Sequence, residues 1–547
     1  MKLFARLYRD LDETTKTSRK VDALARYFVE ARPQDAAWAL HFLSGRRIKR
    51  LLPAATLAHL ALETAGISEW LFGECIDAVG DLAEAAALIL PQPTSAESVP
   101  LAVLIEERVL PLRTLDEEAR RALLSSTWAL LGVDERLVFH KILTGAFRVG
   151  VSELLVLRGI EQASGVDTAT LKHRTMGDWT PTADFWSELV ATSSDGDEGT
   201  ASERVRASRP DRPYPFALAH PLEGGPQSLG EPAEWQIEWK WDGIRGQLVR
   251  RDGIFVWSRG EELVSAQFPE IVEAAEVLPR GVVLDGEILP WRDGVLGFGD
   301  LQRRLNRKKI DVKMRAEIPI VFLAYDLLEH ESVDVRALPI TERRALLDQV
   351  LDAHPHERLM RSEVIAPEGY ATWDELTELR EESRARNVEG FMLKRRTSAY
   401  GVGRKRGDWW KWKIDPYAVD AVLVYAQHGS GKRASLYTDY TFAVWRDVNG
   451  TASEERELVT FAKAYSGLTD DEIKEVDAFV RKNTVEKFGP VRHVKPELVF
   501  EIGFEGIAES KRHKSGVAVR FPRMLRWRKD KPAREADTVE SLRALLG

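Results

Sequence analysis

The chain has 547 residues, of which 44% are hydrophobic and 30% are charged. This length predicts about three or four domains and excludes a single small core, while the apolar content excludes general disorder. The formal charge of −8 excludes a uniformly basic nucleic-acid coat protein. A site for a polyanion therefore has to come from local clusters of Lys and Arg.

The single cysteine, Cys75, excludes a disulfide framework within the chain and a cysteine-ligated zinc site. No apolar run reaches the roughly 18 to 20 residues that cross a bilayer. The first residues, from Met1 to Arg6, become charged again before an export signal can form. We therefore expect a protein of the reducing cytoplasm that does not associate with membranes.

Residues 1–192 are predicted to form an all-α domain. Leu, Ala and Phe recur there at spacings of three and four, as in the segment from Val21 to Phe28, and this period is typical of amphipathic helices. Residues 193–213 are rich in Ser, Asp, Gly, Arg and Pro. A stretch so poor in apolar residues predicts a linker.

After the linker the pattern changes to short alternating strands. Strand-like segments such as 235–250 are separated by helical stretches, which predicts an α+β domain over residues 214–415. Residues 416–547 contain further short strands, among them 441–445 and 498–502. These strands predict a compact β-barrel.

The segment from Glu238 to Gly246 carries the first candidate for chemistry. Side chains alternate between the faces of a strand, so Glu238, Lys240 and Asp242 share one face and two tryptophans share the other. One interpretation is a solvated ion-pair face over a tryptophan core. The other is a nucleophilic Lys240, which would need desolvation, nearby cations or a metal to lose its proton.

Two acidic segments could supply a metal site. Asp285 and Glu287 lie on one face of a predicted strand, and Glu389 stands beside Gly390, where backbone can approach a ligand closely. Two such carboxylates suit Mg²⁺, which prefers one or two carboxylates with phosphate oxygens and water. Either segment alone is more typical of a hairpin turn.

A third segment, from Trp409 to Lys413, places two lysines on one face of a strand. Lys411 and Lys413 point one way, and Trp410 and Trp412 pack on the other side. Two parallel ammonium groups can bind a phosphate and lower the pKa of a third amine nearby. The alternative is an ordinary amphipathic edge strand.

The order and spacing of these segments are more specific than any one of them. Together they resemble the covalent nucleotidyltransferase superfamily, and most closely the ATP-dependent DNA ligases of bacteria. The matching segments are 240–245 (KWDGIR), 258–260 (SRG), 284–287 (LDGE), 322–328 (FLAYDLL), 389–394 (EGFMLK), 410–413 (WKWK), 520–523 (RFPR) and 528–531 (RKDK). The segment 144–152 (TGAFRVGVS) is similar to the ligase loop that grips the backbone of duplex DNA.

The resemblance implies a reaction in which Lys240 attacks the α-phosphate of ATP and forms lysyl-AMP. AMP then passes to the 5′-phosphate at a nick, and the 3′-hydroxyl displaces it. The implied roles are adenine recognition for Glu238, stacking for Tyr325, ribose or phosphate contact for Arg245, Arg259 and Arg406, metal and sugar contact for Glu287 and Glu389, and α-phosphate contact for Lys411 and Lys413. Tyr325 stands where Phe is common, and Arg406 aligns only if one residue is skipped.

The end of the chain supplies a basic segment. From Lys511 to Arg534 there are ten Lys or Arg against one acid, with aromatic residues among them. This favours an ordered face that contacts phosphate over a solubilising tail. By resemblance, Arg148, Arg520, Arg523, Arg528, Asp530 and Lys531 are candidates for contact with DNA or with the leaving pyrophosphate.

The expected protein is a multidomain enzyme with an all-α DNA-binding domain, an α+β nucleotidyltransferase (adenylation) domain and a C-terminal β-barrel of the OB-fold type. By resemblance it uses ATP with Mg²⁺, or Mn²⁺ instead, and acts on nicked double-stranded DNA as a repair enzyme. A monomer at the nucleoid is expected, with unknown repair partners. The alternatives are an RNA ligase, a capping-type nucleotidyltransferase or a nick-binding protein without catalysis. An NAD-dependent ligase is disfavoured, because that class has a four-cysteine zinc module.

Overall fold

The structure is a computed structural model that describes residues 1–48, 51–93, 98–192, 210–305, 307, 310–365, 370, 372–429, 436–447 and 456–546. Residues 193–209 of the predicted linker lie outside this set. No helix in the described part of the chain is long and apolar enough to cross a membrane. Two compact units are found: Met1–Leu51 with Ala96–Arg120 and Lys141–Ile414, and Leu52–Ser95 with Arg121–His140 and Asp415–Gly547.

The N-terminal part of the chain is helical, as predicted. Within the first unit the helical segments are Lys2–Asp12, Thr17–Glu30, Pro33–Leu43, Leu101–Arg113, Glu153–Ser164, Thr168–Thr175 and Ala183–Leu189. Ala54–Ala65, Glu69–Val79 and Leu82–Ile89 belong to the second unit, and Glu117–Trp128 and Val133–Thr144 cross the boundaries between units. Pro33 at the start of its helix and the left-handed Gly165 after Ser164 are ordinary start and stop signals.

The rest of the first unit contains strands and further helices. The strands are β1 (Ala217–Leu218), β2 (His220–Pro221), β3 (Trp235–Trp241), β4 (Ile244–Arg250), β5 (Ile254–Ser258), β6 (Val282–Pro290), β7 (Ile320–His330), β8 (Val333–Asp334), β9 (Leu359–Arg361), β10 (Val364–Ile365), β11 (Val388–Arg395), β12 (Gly403–Arg404) and β13 (Trp409–Lys413). The helices are Pro269–Ala274, Phe298–Leu305, Val312–Glu317, Ile340–Ala353 and Trp373–Arg380.

These strands form two main sheets. The Lys240 sheet has the order β10-β3-β11-β13-β2, and the Glu287 sheet has the order β5-β4-β6-β7-β8 with β9 parallel to β7. The chain passes from one sheet to the other between β3 and β4, at Asp242 and Gly243. Gly243 is required there, because a Cβ atom would lie 2.5 Å from the carbonyl oxygen of Ile288 on β6.

Each sheet buries one face in a core of its own. In the Lys240 sheet the odd-numbered residues of β3 pack with Phe391, Leu393 and Trp412 against the helix Trp373–Arg380. In the Glu287 sheet the buried side chains include Leu248, Leu284, Ile288 and Phe322, which pack with Ile271 and Leu347 of two helices. The opposite face of β3, which carries Glu238 and Lys240, is left for the site.

The C-terminal part of the second unit is a curled sheet with helices at its edges. Its strands are β14 (Tyr417–His428), β15 (Tyr437–Asp447), β16 (Arg456–Ala464), β17 (Thr484–Phe488), β18 (Val491–Val494), β19 (Val499–Phe504), β20 (Gly506–Glu509), β21 (Val517–Arg520) and β22 (Arg523–Trp527). The long strand β14 pairs with β15 and also with β18 and β19, while β19 continues to β22. The helices are Asp470–Asn483 and Val539–Ala544.

A buried ion pair ties a helix to the Glu287 sheet. Arg343, on the helix Ile340–Ala353, donates from Nε and Nη2 to both oxygens of Asp326 on β7, at 2.8 and 2.9 Å. Both side chains are fully buried. The pair contributes to stability only while both partners are present, because either charge alone would be unpaired in the core.

Arg343→Met is expected to lower the free energy of unfolding by about 3–5 kcal/mol, because Asp326 loses its cationic partner inside the core. Urea denaturation followed by tryptophan fluorescence measures the change. The control is Arg303→Met, since the Arg303 side chain is half exposed in its pairs with Asp300 and Glu317. Equal midpoints for the two variants would contradict this role of the buried pair.

Candidate active site

Lys240 lies at the end of β3, on the face that turns toward the Glu287 sheet. The predicted alternation is observed, since Trp239 is buried in the core of the Lys240 sheet while Lys240 remains partly exposed. The Nζ atom of Lys240 lies 2.5 Å from Oε2 of Glu389. The lysine therefore belongs to a converging polar cluster and is not part of a purely solvated strand face.

Glu389 reaches this cluster because β11 contains a β-bulge. The pairing of β11 with β3 shifts register between Val388 and Phe391, so the residues on either side change faces. Gly390 has a φ of 122°, and a Cβ atom there would lie 2.3 Å from the carbonyl oxygen of Trp412. The glycine thus allows a close approach of two strands, where the sequence had suggested the approach of a ligand.

Glu389 binds a second lysine as well. The Nζ atom of Lys413 on β13 lies 3.1 Å from the same Oε2 atom. Burial alone raises the pKa of Glu389, but the charges of Lys240 and Lys413 outweigh it and hold that pKa below its ordinary value. One ionised carboxylate is therefore shared by two ammonium groups.

Lys411 lies beside this shared pair. Its pKa is lowered by burial and then by the positive charges of Lys413 and Lys240. The register of β13 against β11 sets Lys411 opposite Met392 and Lys413 opposite Gly390. Lys411 and Lys413 share one face of β13, as predicted. The amine whose pKa is lowered by its charged neighbours is Lys411 itself.

Glu287 on β6 lies near Lys240 and Glu389. Burial is the largest influence and raises its pKa to about 8, with Asp285 and Glu389 adding to the rise and Lys240 and Arg245 opposing it. At neutral pH this carboxyl group is therefore mostly protonated. Among the described residues, no hydrogen bond or ion pair to its side chain is found, so a cation could take the place of the proton.

Arg245 is bound to the protein more completely than its predicted role suggested. Its Nε and Nη2 atoms donate to the two oxygens of Asp285, at 3.2 and 2.7 Å. Nη1 donates to the carbonyl oxygen of Ala217 at 2.5 Å, and Nη2 also donates to the hydroxyl of Tyr400 at 3.2 Å. These described contacts use four of the five N–H groups of a guanidinium, which leaves one on Nη1 for a ligand.

Glu238 and Tyr325 are buried beside the same cluster. Glu238 is 1% exposed, and both of its carboxylate oxygens accept from Nζ of Lys394 at 3.0 Å. That Nζ atom also lies 4.5 Å from the ring centroid of Tyr325. This part of the cluster therefore combines an aromatic ring with a buried carboxylate, which suits a purine base.

The remaining predicted nucleotide contacts lie at the surface. Arg259 and Arg406 have exposed side chains, and the backbone N–H of Arg259 donates to the carbonyl oxygen of Arg245 at 2.9 Å. The structure thus brings together Glu238, Lys240, Arg245, Glu287, Tyr325, Glu389, Lys411 and Lys413. It leaves the side chains of Arg259 and Arg406 outside this contact network.

The loop of residues 144–152 is held by contacts with the first two helices of the chain. The ring of Phe147 stacks on Phe4 with centroids 5.7 Å apart. The hydroxyl of Tyr8 donates to the carbonyl oxygen of Arg148 at 3.3 Å, and Nζ of Lys20 donates to that of Gly150 at 2.8 Å. These contacts hold the loop backbone while the Arg148 side chain remains exposed.

In the second unit, the basic C-terminal segment is held by an acid from β14. Arg528 and Lys531 both bind Oδ2 of Asp420, at 2.7 and 2.8 Å. Arg528 also hydrogen bonds to Asp530, which lowers the pKa of Asp530 to about 2. Arg523 pairs with Glu505 at 2.8 Å, and the guanidinium of Arg520 lies over the ring of Phe521, 5.2 Å from its centroid.

Sequence reasoning missed three residues of these networks. Lys394 contacts Glu238, Tyr400 contacts Asp285, and Asp420 contacts Arg528. In each pair the two residues are more than 100 positions apart in the sequence. Lys394 ends the EGFMLK segment and could have been found by its place in that motif. Tyr400 and Asp420 carry no local signal that distinguishes them from ordinary core and strand residues.

A cluster that combines lysines, carboxyl groups and an aromatic ring in this way suits the class of proteins that handle a nucleotide and its phosphates. Comparison with known proteins gives the particular family. Residues 217–413 match the ATP dependent DNA ligase domain, residues 1–161 match the DNA ligase N terminus, and residues 433–531 match the ATP dependent DNA ligase C terminal region.

Comparison with individual proteins indicates the same family. The chain is 33% identical to a probable DNA ligase of Koribacter versatilis, over 99% of this chain and 95% of the relative. It is 32% identical to a probable DNA ligase of an Anaeromyxobacter species, over 92% of this chain and 95% of the relative. The solved structure of Pmar-Lig_Pre has the same fold, with a TM-score of 0.59 and 15% identity over 96% of this chain and 99% of the other. The chain belongs to the ATP-dependent DNA ligase family.

Gly390→Ala is expected to reduce ATP-dependent ligase activity by about 10²-fold, because a Cβ atom would displace the bulge and move Glu389 away from Lys240. Activity is measured with ATP and a nicked duplex, and circular dichroism verifies folding. Gly299→Ala is the matched control, since a Cβ atom at Gly299 meets nothing within 4 Å. Wild-type activity in a folded Gly390→Ala protein would contradict this role of the bulge.

Proposed function

We propose that this ligase seals nicks in duplex DNA through a lysyl-AMP intermediate at Lys240, followed by a DNA-adenylate. One observation carries the proposal: Lys240, Lys411 and Lys413 converge with Glu287 and Glu389, and an aromatic ring and a buried carboxylate lie beside this cluster. Such a site has a nucleophile, cations for phosphate and a surface for a base.

In the first step, Nζ of Lys240 attacks the α-phosphorus of ATP. The P–N bond forms, the bond to the pyrophosphate oxygen breaks and the amine loses a proton. An amine paired with Glu389 cannot attack while it is protonated, so binding of ATP must loosen that pair. Lys413 gives the Glu389 carboxylate another partner. Lys411 and Lys413 stabilise negative charge on the phosphate.

We propose Glu287 and Glu389 as the ligands of Mg²⁺, with Mn²⁺ as the alternative. The residues fit, because the two carboxyl groups lie near each other and Glu287, whose pKa is raised to about 8, has no hydrogen bond among the described residues. A divalent cation favours the ionised form of such a group. When bound, it would supply positive charge to the triphosphate.

In the second and third steps, a 5′-phosphate oxygen at the nick takes AMP from Lys240, and the 3′-hydroxyl then attacks the 5′-phosphorus and releases AMP. Arg148 on its fixed loop is proposed to contact the DNA backbone. Arg520, Arg523, Arg528, Asp530 and Lys531 are proposed to contact DNA or pyrophosphate. For Arg528 and Lys531, this requires that the anion compete with Asp420.

The proposed domains are residues 1–192 for DNA binding, 214–415 for adenylation and 416–547 for an OB-type barrel. The pairing of β14 with β15, β18 and β19 supports a barrel, because one long strand that joins several others must curl. We propose that the enzyme works as a monomer at the nucleoid in the cytoplasm. Tyr325 is proposed to stack on adenine, and Arg259 and Arg406 to contact ribose or phosphate.

Incubation with radiolabelled ATP or GTP, a divalent cation and nicked DNA or RNA tests this proposal. Labelled protein is expected with ATP, together with sealed DNA, and Lys240→Ala is expected to abolish the label because the nucleophile is gone. Label from GTP alone, or sealing of RNA alone, would favour the capping or RNA ligase alternatives. A folded wild-type protein that never acquires AMP would revive the nick-binding alternative.

Arg148→Ala is expected to weaken binding to nicked DNA while lysyl-AMP forms at the wild-type rate, since the lost side chain is proposed to contact DNA phosphate and makes none of the described contacts of Lys240. Fluorescence anisotropy measures binding, and labelling with ATP measures adenylation. Arg6→Ala is the control, because the exposed Arg6 is already paired with Glu30. Equal losses in both assays for Arg148→Ala would refute the separation of the two tasks.

A further inference from the structure

The proposed adenine contact, Glu238, is itself held by a buried lysine. Lys394 and Glu238 are each 2% exposed in their side chains, and Nζ lies 3.0 Å from both carboxylate oxygens. The strand register explains the contact, because Met392 stands opposite Glu238 and Lys394 opposite Gln236. Lys394 is too deeply buried to bind phosphate in solvent, so any effect on the substrate has to pass through Glu238.

The described contacts leave Glu238 with little freedom. Lys394 donates to Oε1 and Oε2, and Nε2 of Gln236 donates to Oε1 at 2.5 Å. A carboxylate has about four acceptor positions, two on each oxygen. Three are used, and the fourth is on Oε2. The orientation of that last acceptor is fixed by residues of two neighbouring strands.

The charge state of Glu238 matters as much as its direction. An ionised carboxylate is only an acceptor, whereas a protonated carboxyl group also donates. Adenine presents an amino donor at C6, and guanine presents a carbonyl acceptor at the same position. A carboxylate whose oxygens both accept from a buried lysine is held as an acceptor, so it would accept from adenine and repel the C6 oxygen of guanine.

We propose that Lys394 is a positioning residue that determines purine specificity, by holding Glu238 as an oriented acceptor for the adenine amino group. This inference rests on the proposed function, because it concerns the nucleotide that Lys240 attacks. The ring of Tyr325, with its centroid 4.5 Å from Nζ of Lys394, is in contact with the same ammonium group. The lysine thus orders both groups assigned to the base.

The test compares the transfer of AMP and GMP to the enzyme. For wild type and Lys394→Met, the kcat/KM of lysyl-nucleotide formation is measured with radiolabelled ATP and GTP. The ratio of ATP to GTP is expected to fall by about tenfold or more in the variant, since a buried polar site can supply discrimination of roughly 10⁴–10⁵. The loss with ATP is expected mainly in KM, because the reacting groups at Lys240 are unchanged.

Three further variants make the result specific. Lys394→Arg keeps the cation and is expected to retain the preference for ATP. The double variant Lys394→Met with Glu238→Gln removes both charges, so it leaves no unpaired charge in the core if Lys394→Met fails to fold. Since its amide can donate as well as accept, the double variant is also expected to lose the preference. Lys313→Met, at an exposed lysine, is the control.

An unchanged ratio in a folded Lys394→Met protein, or in the double variant, would overturn the inference. Thermal unfolding verifies that each variant is folded. A wild-type protein that takes up neither nucleotide would instead refute the proposed function, so the two failures are distinguishable. A decrease in activity that is equal for both nucleotides would assign Lys394 a structural role only and would also overturn the inference.

Discussion

The carboxylate of Glu389, shared by Lys240 and Lys413, is the interaction on which the site depends. It draws an ammonium group from β3 and another from β13 to one oxygen, at 2.5 and 3.1 Å. This arrangement stabilises three like charges in close proximity, because Lys411 is adjacent. In the proposed reaction, this contact restrains the Lys240 amine, and a substrate that binds the lysines or a cation that binds the glutamate would release it.

Much of this site could be predicted from local sequence. A period of two places Glu238 and Lys240 on one face of β3, and the structure agrees because Trp239 between them has a core to fill. The same rule assigned the lysines of β13 correctly. It could not place Glu389, because the bulge at Gly390 inserts an extra residue and reverses the faces. A bulge depends on how two strands fit together, and that information is absent from either strand alone.

The other contacts of the site join residues that are far apart in the sequence, and local patterns could not predict them. Tyr400 donates to Oδ2 of Asp285 at 2.6 Å across 115 positions, and Lys394 reaches Glu238 across 156. Sequence patterns identified Arg245 as a cation but could not show that Asp285 and Tyr400 occupy most of its donors. Arg245 therefore has one N–H left on Nη1 for its proposed contact with ribose or phosphate, while its other contacts join β4 to Asp285 of β6 and to Tyr400. Only the strand register reveals such use of a charged residue.

The cations of the basic C-terminal segment are also paired with acids that lie elsewhere in the sequence. Its sequence has ten cations and one acid, yet the fold brings acids to it from distant positions. The pairs are Arg523 with Glu505, Arg526 with Glu501, Arg528 and Lys531 with Asp420, and Lys529 with Glu475. Counting charges along the chain therefore overstates the cations available to a polyanion. Phosphate must compete with a carboxylate for Arg528 and Lys531, as it must for Lys240 and Lys413. Because the desolvation and pairing costs are already met in the free protein, the gain from binding an anion lies in exchanging one partner for another.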